Sequence, residues 1–343
     1  MRSLSYSARS TISYEEVETP NELGADEVLV RPAFTGICGT DLLIWHNGHS
    51  RAMPPVILGH EFSGTVERVG ADVSNFAPGD RVTVEPLLNC GECEPCRRGD
   101  YNQCAKLRLL GVDVDGSLAD LVLAPESRVF RIPDSLSLRD AAFIEPVAVV
   151  AHLIARVGGV RDSQVVFVAG GGPIGLIAAE LAYRAGARVF VAEQNSFRAV
   201  IAERLGATVV RDLATAAGTI REQTGTAGAD ICLEATGVEI ALQACIDAAR
   251  PGAVVGVVGL PKKVPATDVT QMITKEIDLR GSRVYTRIDF EKAVAYVAEG
   301  QLTLSEHITH VMPFEDAITM GFEAIERGDA MLKVVIDQEP VGA

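Results

Sequence analysis

A thiol, an imidazole and a carboxylate stand at the two ends of one short stretch of this chain. It opens Gly36-Ile37-Cys38-Gly39-Thr40-Asp41 and closes Leu58-Gly59-His60-Glu61. Cysteine sulfur, histidine nitrogen and carboxylate oxygen are the ligand types that hold a catalytic zinc while leaving a fourth position open. Thr40, two residues after the thiol, adds a hydroxyl able to exchange a proton. Taken alone, Cys38 reads as a small buried thiol beside a turn. The remainder of the chain changes that reading.

Cys90, Cys93 and Cys96 follow at three-residue spacing, with Cys104 eight residues on. Four thiolates so placed can close a tetrahedral zinc site with no open position, so this site is expected to be structural and is assigned no chemistry. Further on, Glu145 interrupts an apolar run from Ala141 to Leu153. A buried carboxylate requires a cation or metal nearby, whereas a solvent-facing acid at a helix start requires nothing. Both remain open for Glu145 on sequence, and His152 in the same run reads as a packed core histidine.

A second chemistry begins at Gln164. The apolar run to Ala169 leads into Gly170-Gly171-Gly172-Pro173-Ile174-Gly175 and an Ala/Leu-rich helix to Arg184. Gly170, Gly172 and Gly175 form G-x-G-x-x-G between a strand and a helix, where glycine permits a tight turn and close approach of a pyrophosphate to the helix N-terminus. The next strand, Arg188 to Glu193, ends in an acid eighteen residues after Gly175. That is where a ribose 2′-hydroxyl of NAD would be gripped.

These groups must be positioned by two kinds of element. Short strands with Gly/Pro punctuation fill the first third, for example Phe62–Val69 and Asp80–Val84, and point to a mainly antiparallel domain, such as a small barrel. Glu27-Val28-Leu29-Val30-Arg31 alternates as a half-exposed strand would. From Gln164 strands and helices alternate through about Val284, the rhythm of a doubly wound parallel sheet of six strands. Cys232 and Cys245 fall within it and read as small buried residues. After Phe290 come a helix to Glu299, a strand-like Ile308-Thr309-His310, a helix from Phe314 to Arg327 and a strand from Lys333 to Ile336. These last pieces suit the first domain, so residues 1–150 completed by 286–343 are expected to enclose an inserted dinucleotide domain, 151–285.

The composition agrees with a globular chain of two domains: 343 residues, 48% hydrophobic and 22% charged. A formal charge of −15 argues against nucleic acid or an anionic membrane surface as partner. Val165 to Ala182 carries one charge, Glu180, yet its three glycines and Pro173 make it a strand-turn-helix, not a membrane span. The polar N-terminus lacks a secretory pattern, and the crowding of four of the seven cysteines into fifteen residues suits metal ligation, so a cytoplasmic location is expected.

In combination these motifs resemble the zinc-dependent medium-chain dehydrogenase family, over essentially the whole chain. Glu145-Pro146 and Gly281-Ser-Arg-Val-Tyr285 are similar to the sorbitol and 2,3-butanediol dehydrogenase branch, and the L-threonine 3-dehydrogenase branch shares much of the pattern. The resemblance implies a Rossmann domain inserted into a mainly-β GroES-like catalytic domain, two zinc ions per chain, NAD, a small alcohol substrate and a homo-oligomer, with a tetramer favoured. Cys38 and His60 would bind catalytic zinc with Glu61 or Glu145 as third ligand; Cys90, Cys93, Cys96 and Cys104 would bind the structural zinc. Gly170, Gly172, Pro173, Ile174, Gly175, Glu193, Arg198, Val258, Gly259, Leu260, Val284 and Tyr285 would line the dinucleotide.

What it implies for the reaction is oxidation of a secondary alcohol, with zinc as Lewis acid, Thr40 accepting the hydroxyl proton, and hydride passing to NAD. Two departures stand out. Leu43 occupies the position of a proton-relaying histidine, leaving His46 or His49 as substitutes, and Val284 stands where polyol-specific relatives carry arginine. Trp45 reads either as a pocket wall or as a surface-loop aromatic packed on the domain or at a subunit contact. A zinc-independent reductase and a non-enzymatic dinucleotide sensor on the same fold are the rival readings.

Overall fold

In the computed structural model, which describes residues 1–339, the chain separates into two compact units. The first comprises Met1–Glu145, Thr286–Glu299 and the chain from Ile308 onward; the second comprises Pro146–Tyr285 and Gly300–His307. The sequence-based division differs at residues 146–150 and at Gly300–His307. The reason for the latter is Glu180, buried in the helix Pro173–Arg184. Its carboxylate accepts from the Thr303 amide (2.9 Å), the Thr303 hydroxyl (2.7 Å) and Arg184 Nε (2.9 Å), and pairs with His307 Nε2 at 2.7 Å. Burial would raise this carboxyl, but His307, Thr303 and Arg184 outweigh it and hold it at about 2.

The first unit is built on a seven-stranded sheet. Its main path runs Val129–Arg131, Arg81–Val84, Glu61–Val69, Glu27–Gly36, Lys333–Asp337, Ile308–Pro313, with Val122–Pro125 also pairing to Glu27–Gly36. All pairings are antiparallel except that of Ile308–Pro313 with Lys333–Asp337. The expected half-exposure of Glu27–Arg31 does not hold: Val28, Leu29 and Val30 are all buried. Val28 and Val30 pack in one hydrophobic cluster and Leu29, which alternates to the opposite face, is equally buried, so both faces of this segment are covered and alternation loses its meaning.

The second unit is a six-stranded parallel sheet in the order Thr208–Val210, Arg188–Ala192, Val165–Ala169, Ala229–Glu234, Ala249–Val257, Asp278–Gly281. In chain order that is 3-2-1-4-5-6, the doubly wound arrangement that binds ligands beyond the carboxyl ends of the strands. Phe167, Phe190, Cys232 and Cys245 are fully buried in its core, and burial pushes both thiols upward.

Two local differences from the sequence reading have clear causes. The single helix expected over Phe314–Arg327 is a 3₁₀ turn, a π-helical stretch Ala317–Phe322 and an α-helix Glu323–Arg327. Gly321 lies in the π stretch, where a Cβ would meet Ile37 Cδ1 at 2.8 Å, so close packing rather than periodicity sets the backbone there. Trp45 lies on the helix Gly39–Asn47 and is buried in the core of the first unit, edge-on to Phe322 at 5.8 Å, not on a surface loop. Among the described residues no helix is long and apolar enough to cross a membrane.

Candidate active site

Cys38 is the N-cap of the helix Gly39–Asn47. Asp41, three residues on, closes a capping box by accepting the Cys38 amide at 2.9 Å. The same carboxylate accepts the Gly59 amide at 3.4 Å and lies 3.6 Å from His60 Nδ1. One buried aspartate thus ties together the two ends of the Gly36–Glu61 stretch. At 3.6 Å from Nδ1 it is beyond hydrogen-bond reach of the imidazole, so it acts on His60 through its charge.

Glu61 opens the strand Glu61–Val69, and the register pairs it with Gly36. A Cβ at Gly36 would overlap Glu61 Oε2 and meet Lys333 Cε at 3.2 Å, so only glycine leaves room for this carboxylate. The outcome is that one ligand atom each from Cys38, His60 and Glu61 lies within 4.8 Å of the others. Around a tetrahedral zinc, sulfur at about 2.3 Å and nitrogen or oxygen at about 2.1 Å stand roughly 3.4–3.6 Å apart, so an inward adjustment would seat zinc here.

The field around the trio favours a cation. Burial opposes charge on His60, but Asp41, then Cys38 and Glu145, outweigh it and leave the imidazole well above its usual range. Glu145, in the helix Ile144–Arg156, is buried, which removes the solvent-facing alternative for it. It lies close enough to act electrostatically on His60 and Lys333, but it is not one of the three converging ligands.

Lys333 is the residue that sequence reasoning missed. It starts the last strand, is 3% exposed, donates to the Ile37 carbonyl at 3.0 Å and forms an ion pair with Glu61. Burial alone would depress its ammonium; Glu61, then Cys38 and Glu145, more than reverse this. The one available signal was a lone lysine at the head of the apolar run Val334-Val335-Ile336.

The four other cysteines also converge. Sulfur–sulfur distances are 3.3 Å for Cys93–Cys96, 3.6 Å for Cys104–Cys90 and 3.9 Å for Cys90–Cys96, far beyond disulfide length and spanning the edge of a zinc tetrathiolate. Burial opposes ionisation of Cys96, but the Asn89 amide at 3.3 Å and the neighbouring thiols pull it down to about 6. Asn89 accepts in turn from Arg128, which pairs with buried Glu85 at 2.8 Å. The metal lobe is thereby linked to the main sheet.

In the second unit the glycine turn has the shape its sequence implies. Gly170 has φ +109°, and a Cβ on Gly175 would overlap the Gly170 carbonyl. Gly172 caps the helix Pro173–Arg184, with Pro173 in its first turn and Ile174 next to it. Gly170, Glu193 and Arg198 line one recess of about 560 Å³. Arg198 pairs with Glu193 at 2.9 Å. Val258, Gly259 and Leu260 follow the strand Ala249–Val257, with the Val258 and Gly259 amides bonded to the Glu234 carbonyl at 3.0 and 3.2 Å. Val284 and Tyr285 follow the sheet's last strand; Tyr285 is buried and Val284 has a strained φ of +42°.

A site of this composition, in a chain that also carries a doubly wound nucleotide fold, defines a metal-dependent dehydrogenase. The family models of the alcohol dehydrogenase GroES-like domain and of the zinc-binding dehydrogenases match residues 24–134 and 173–299. The chain is 34% identical to 2-dehydro-3-deoxy-L-galactonate 5-dehydrogenase of Pseudoalteromonas atlantica, over 91% of this chain and 92% of that one. It is 32% identical to D-xylulose reductase A of Aspergillus oryzae, over 94% and 93%. The crystal structure of 2R,3R-butanediol dehydrogenase from Bacillus subtilis superposes with a TM-score of 0.91 at 28% identity, over 98% and 99%. The chain belongs to the zinc-dependent medium-chain alcohol dehydrogenase family and is an oxidoreductase using zinc and a nicotinamide dinucleotide.

Proposed function

We propose that this protein oxidises a secondary alcohol in a short vicinal diol or small polyol, with NAD as hydride acceptor. The observation that carries the reading is the convergence of half-buried Cys38 with buried His60 and Glu61 to within 4.8 Å of one another. Bound there, zinc would act as a Lewis acid that makes the substrate hydroxyl a stronger acid. Cys38 and His60 hold two coordination positions, and Glu61 is favoured over Glu145 as the third by its place in the trio. Asp41 acts on the imidazole through its charge, and Thr40, on the first turn of the helix that Cys38 caps, takes the hydroxyl proton by hydrogen bond and passes its own on toward solvent. Nicotinamide supplies the hydride acceptor when bound.

Buried Glu145 beside the trio favours a substrate whose neighbouring oxygen can donate a hydrogen bond to it. The names of the three relatives, a sugar-acid dehydrogenase, a xylulose reductase and a butanediol dehydrogenase, support an oxygen-rich substrate rather than a simple primary alcohol. They lend nothing to threonine, which stays as the runner-up on motif alone. The assembled metal trio favours an enzyme over a dinucleotide sensor or a zinc-independent reductase.

The test is steady-state kinetics on 2,3-butanediol, sorbitol, threonine and ethanol with NAD⁺ at several pH values. The diol is expected to lead, with activity rising toward alkaline pH because Leu43 offers no proton relay. His46 is expected to contribute little, being engaged with Glu326 at 3.0 Å. Ethanol leading in kcat/KM would defeat the vicinal-oxygen reading, and threonine leading would promote the runner-up.

A homo-oligomer, with a tetramer as final assembly, forms part of this proposal. Asp278–Gly281 is the outermost strand of the parallel sheet, and Val269, Ile273 and Leu279 near it in sequence are exposed. An open strand edge with exposed apolar side chains favours cover by a second copy. Light scattering at the mass of one chain would remove this reading, and Leu279→Lys is expected to lower the assembled mass. Seven free thiols suit a reducing, cytoplasmic setting.

A further inference from the structure

The recess beside the glycine turn contains a cation that the reading above does not use. Glu193 is saturated there: Oε2 accepts the Gly171 amide (3.1 Å) and Arg198 Nε (2.9 Å), and Oε1 accepts the Asn195 amide (2.7 Å) and Arg198 Nη2 (3.3 Å). Four donors fill the acceptor capacity of one carboxylate, and the Arg198 guanidinium compensates its charge. Arg211 differs. It follows the strand Thr208–Val210, lines the same recess, and its Nη2 donates at 2.8 Å to the neutral hydroxyl of Ser196. Among the described residues it has no carboxylate partner. The other lining residues, among them Asn195, Thr236 and Ile240, are uncharged, so two guanidiniums face one carboxylate.

We propose that Arg211 is a specificity-determining residue for the cofactor: it engages a phosphate on the adenosine ribose and so narrows the preference for NAD over NADP that Glu193 sets. This rests on the proposed placement of the adenosine ribose at Glu193. A guanidinium fork matches a phosphate with two parallel hydrogen bonds. Arg198 would have to leave Glu193 to make them, whereas Arg211 gives up at most a hydroxyl contact. The uncompensated charge in the recess is therefore Arg211's. It offsets the repulsion that a lone carboxylate would exert on a 2′-phosphate.

The experiment uses the full zinc-loaded chain and two probes, 5′-AMP and adenosine 2′,5′-bisphosphate, titrated by calorimetry. In Arg211→Gln the ratio of bisphosphate to 5′-AMP affinity is expected to fall about tenfold, the loss of one charge-assisted contact. Arg211→Lys should retain part of the ratio and Ser196→Ala should lower it less than Arg211→Gln. Glu193→Ser should raise it by releasing Arg198. Added salt should lower the wild-type ratio more than that of Arg211→Gln. A ratio unchanged in Arg211→Gln, or both affinities falling together, overturns the proposal. Failure of the wild type to bind either probe would instead defeat the placement of the adenosine at Glu193, and this proposal with it.

Discussion

Replacing Cys38 by alanine is expected to lower kcat/KM by about four orders of magnitude and to remove one of two zinc equivalents per chain. The size follows from the Lewis acid being worth several kcal/mol in the transition state, at about 1.4 kcal/mol per factor of ten. Cys96→Ser is the matched control, because it also removes one zinc but from the cysteine quartet. There the loss should appear mainly as a lower unfolding temperature, transmitted through Asn89 and the Arg128–Glu85 pair. Elemental analysis and kinetics on the same two preparations separate the sites. Full activity in Cys38→Ala, or a wild type that carries one zinc, would end the two-site reading.

The second large effect is expected at Lys333. Lys333→Met leaves the Glu61 carboxylate buried without its partner, and breaking one side of a buried ion pair costs about 3–5 kcal/mol. Both groups are almost wholly buried, so solvent screening gives no relief. The unfolding temperature of the metal-free chain should fall by several degrees and be largely restored in the double variant Lys333→Met/Glu61→Leu, where no unpaired charge remains. Their non-additivity, read from a double-mutant cycle, measures the coupling. A single variant as stable as the wild type would show that the pair does not form in solution.

Legibility of the chain from sequence followed the range of the interactions involved. The glycine turn, the cysteine quartet and the Cys38/His60/Glu61 set were readable because each is a local pattern, or two local patterns, whose residue types have few other uses. The six parallel strands were readable because buried parallel strands are continuous apolar runs. Lys333 was not, since its partner is set by the register of Gly36 against Glu61 on one side and Val335 on the other, a tertiary fact. Nor was Arg211, an exposed arginine whose meaning depends on Glu193 being saturated by a different one. The short helix Val269–Thr274 went unread because, at six residues, it is too short for its apolar Val269, Met272 and Ile273 to establish a helical period.

The place of Lys333–Asp337 in the sheet also bears on how the protein is made. This strand sits between Glu27–Gly36 and Ile308–Pro313, yet it is synthesised long after Glu27–Gly36. The Phe34–Gly36 end of one edge of Glu27–Gly36, beyond the part paired with Val122–Pro125, therefore stays open until Lys333–Asp337 is made, while the bulk of the second unit, Pro146–Tyr285, is one continuous segment free to fold earlier. Glu61 is translated more than two hundred residues before the lysine that will neutralise it. During that interval its carboxylate must stay hydrated or find another cation, and zinc is the one its neighbours Cys38 and His60 are suited to capture.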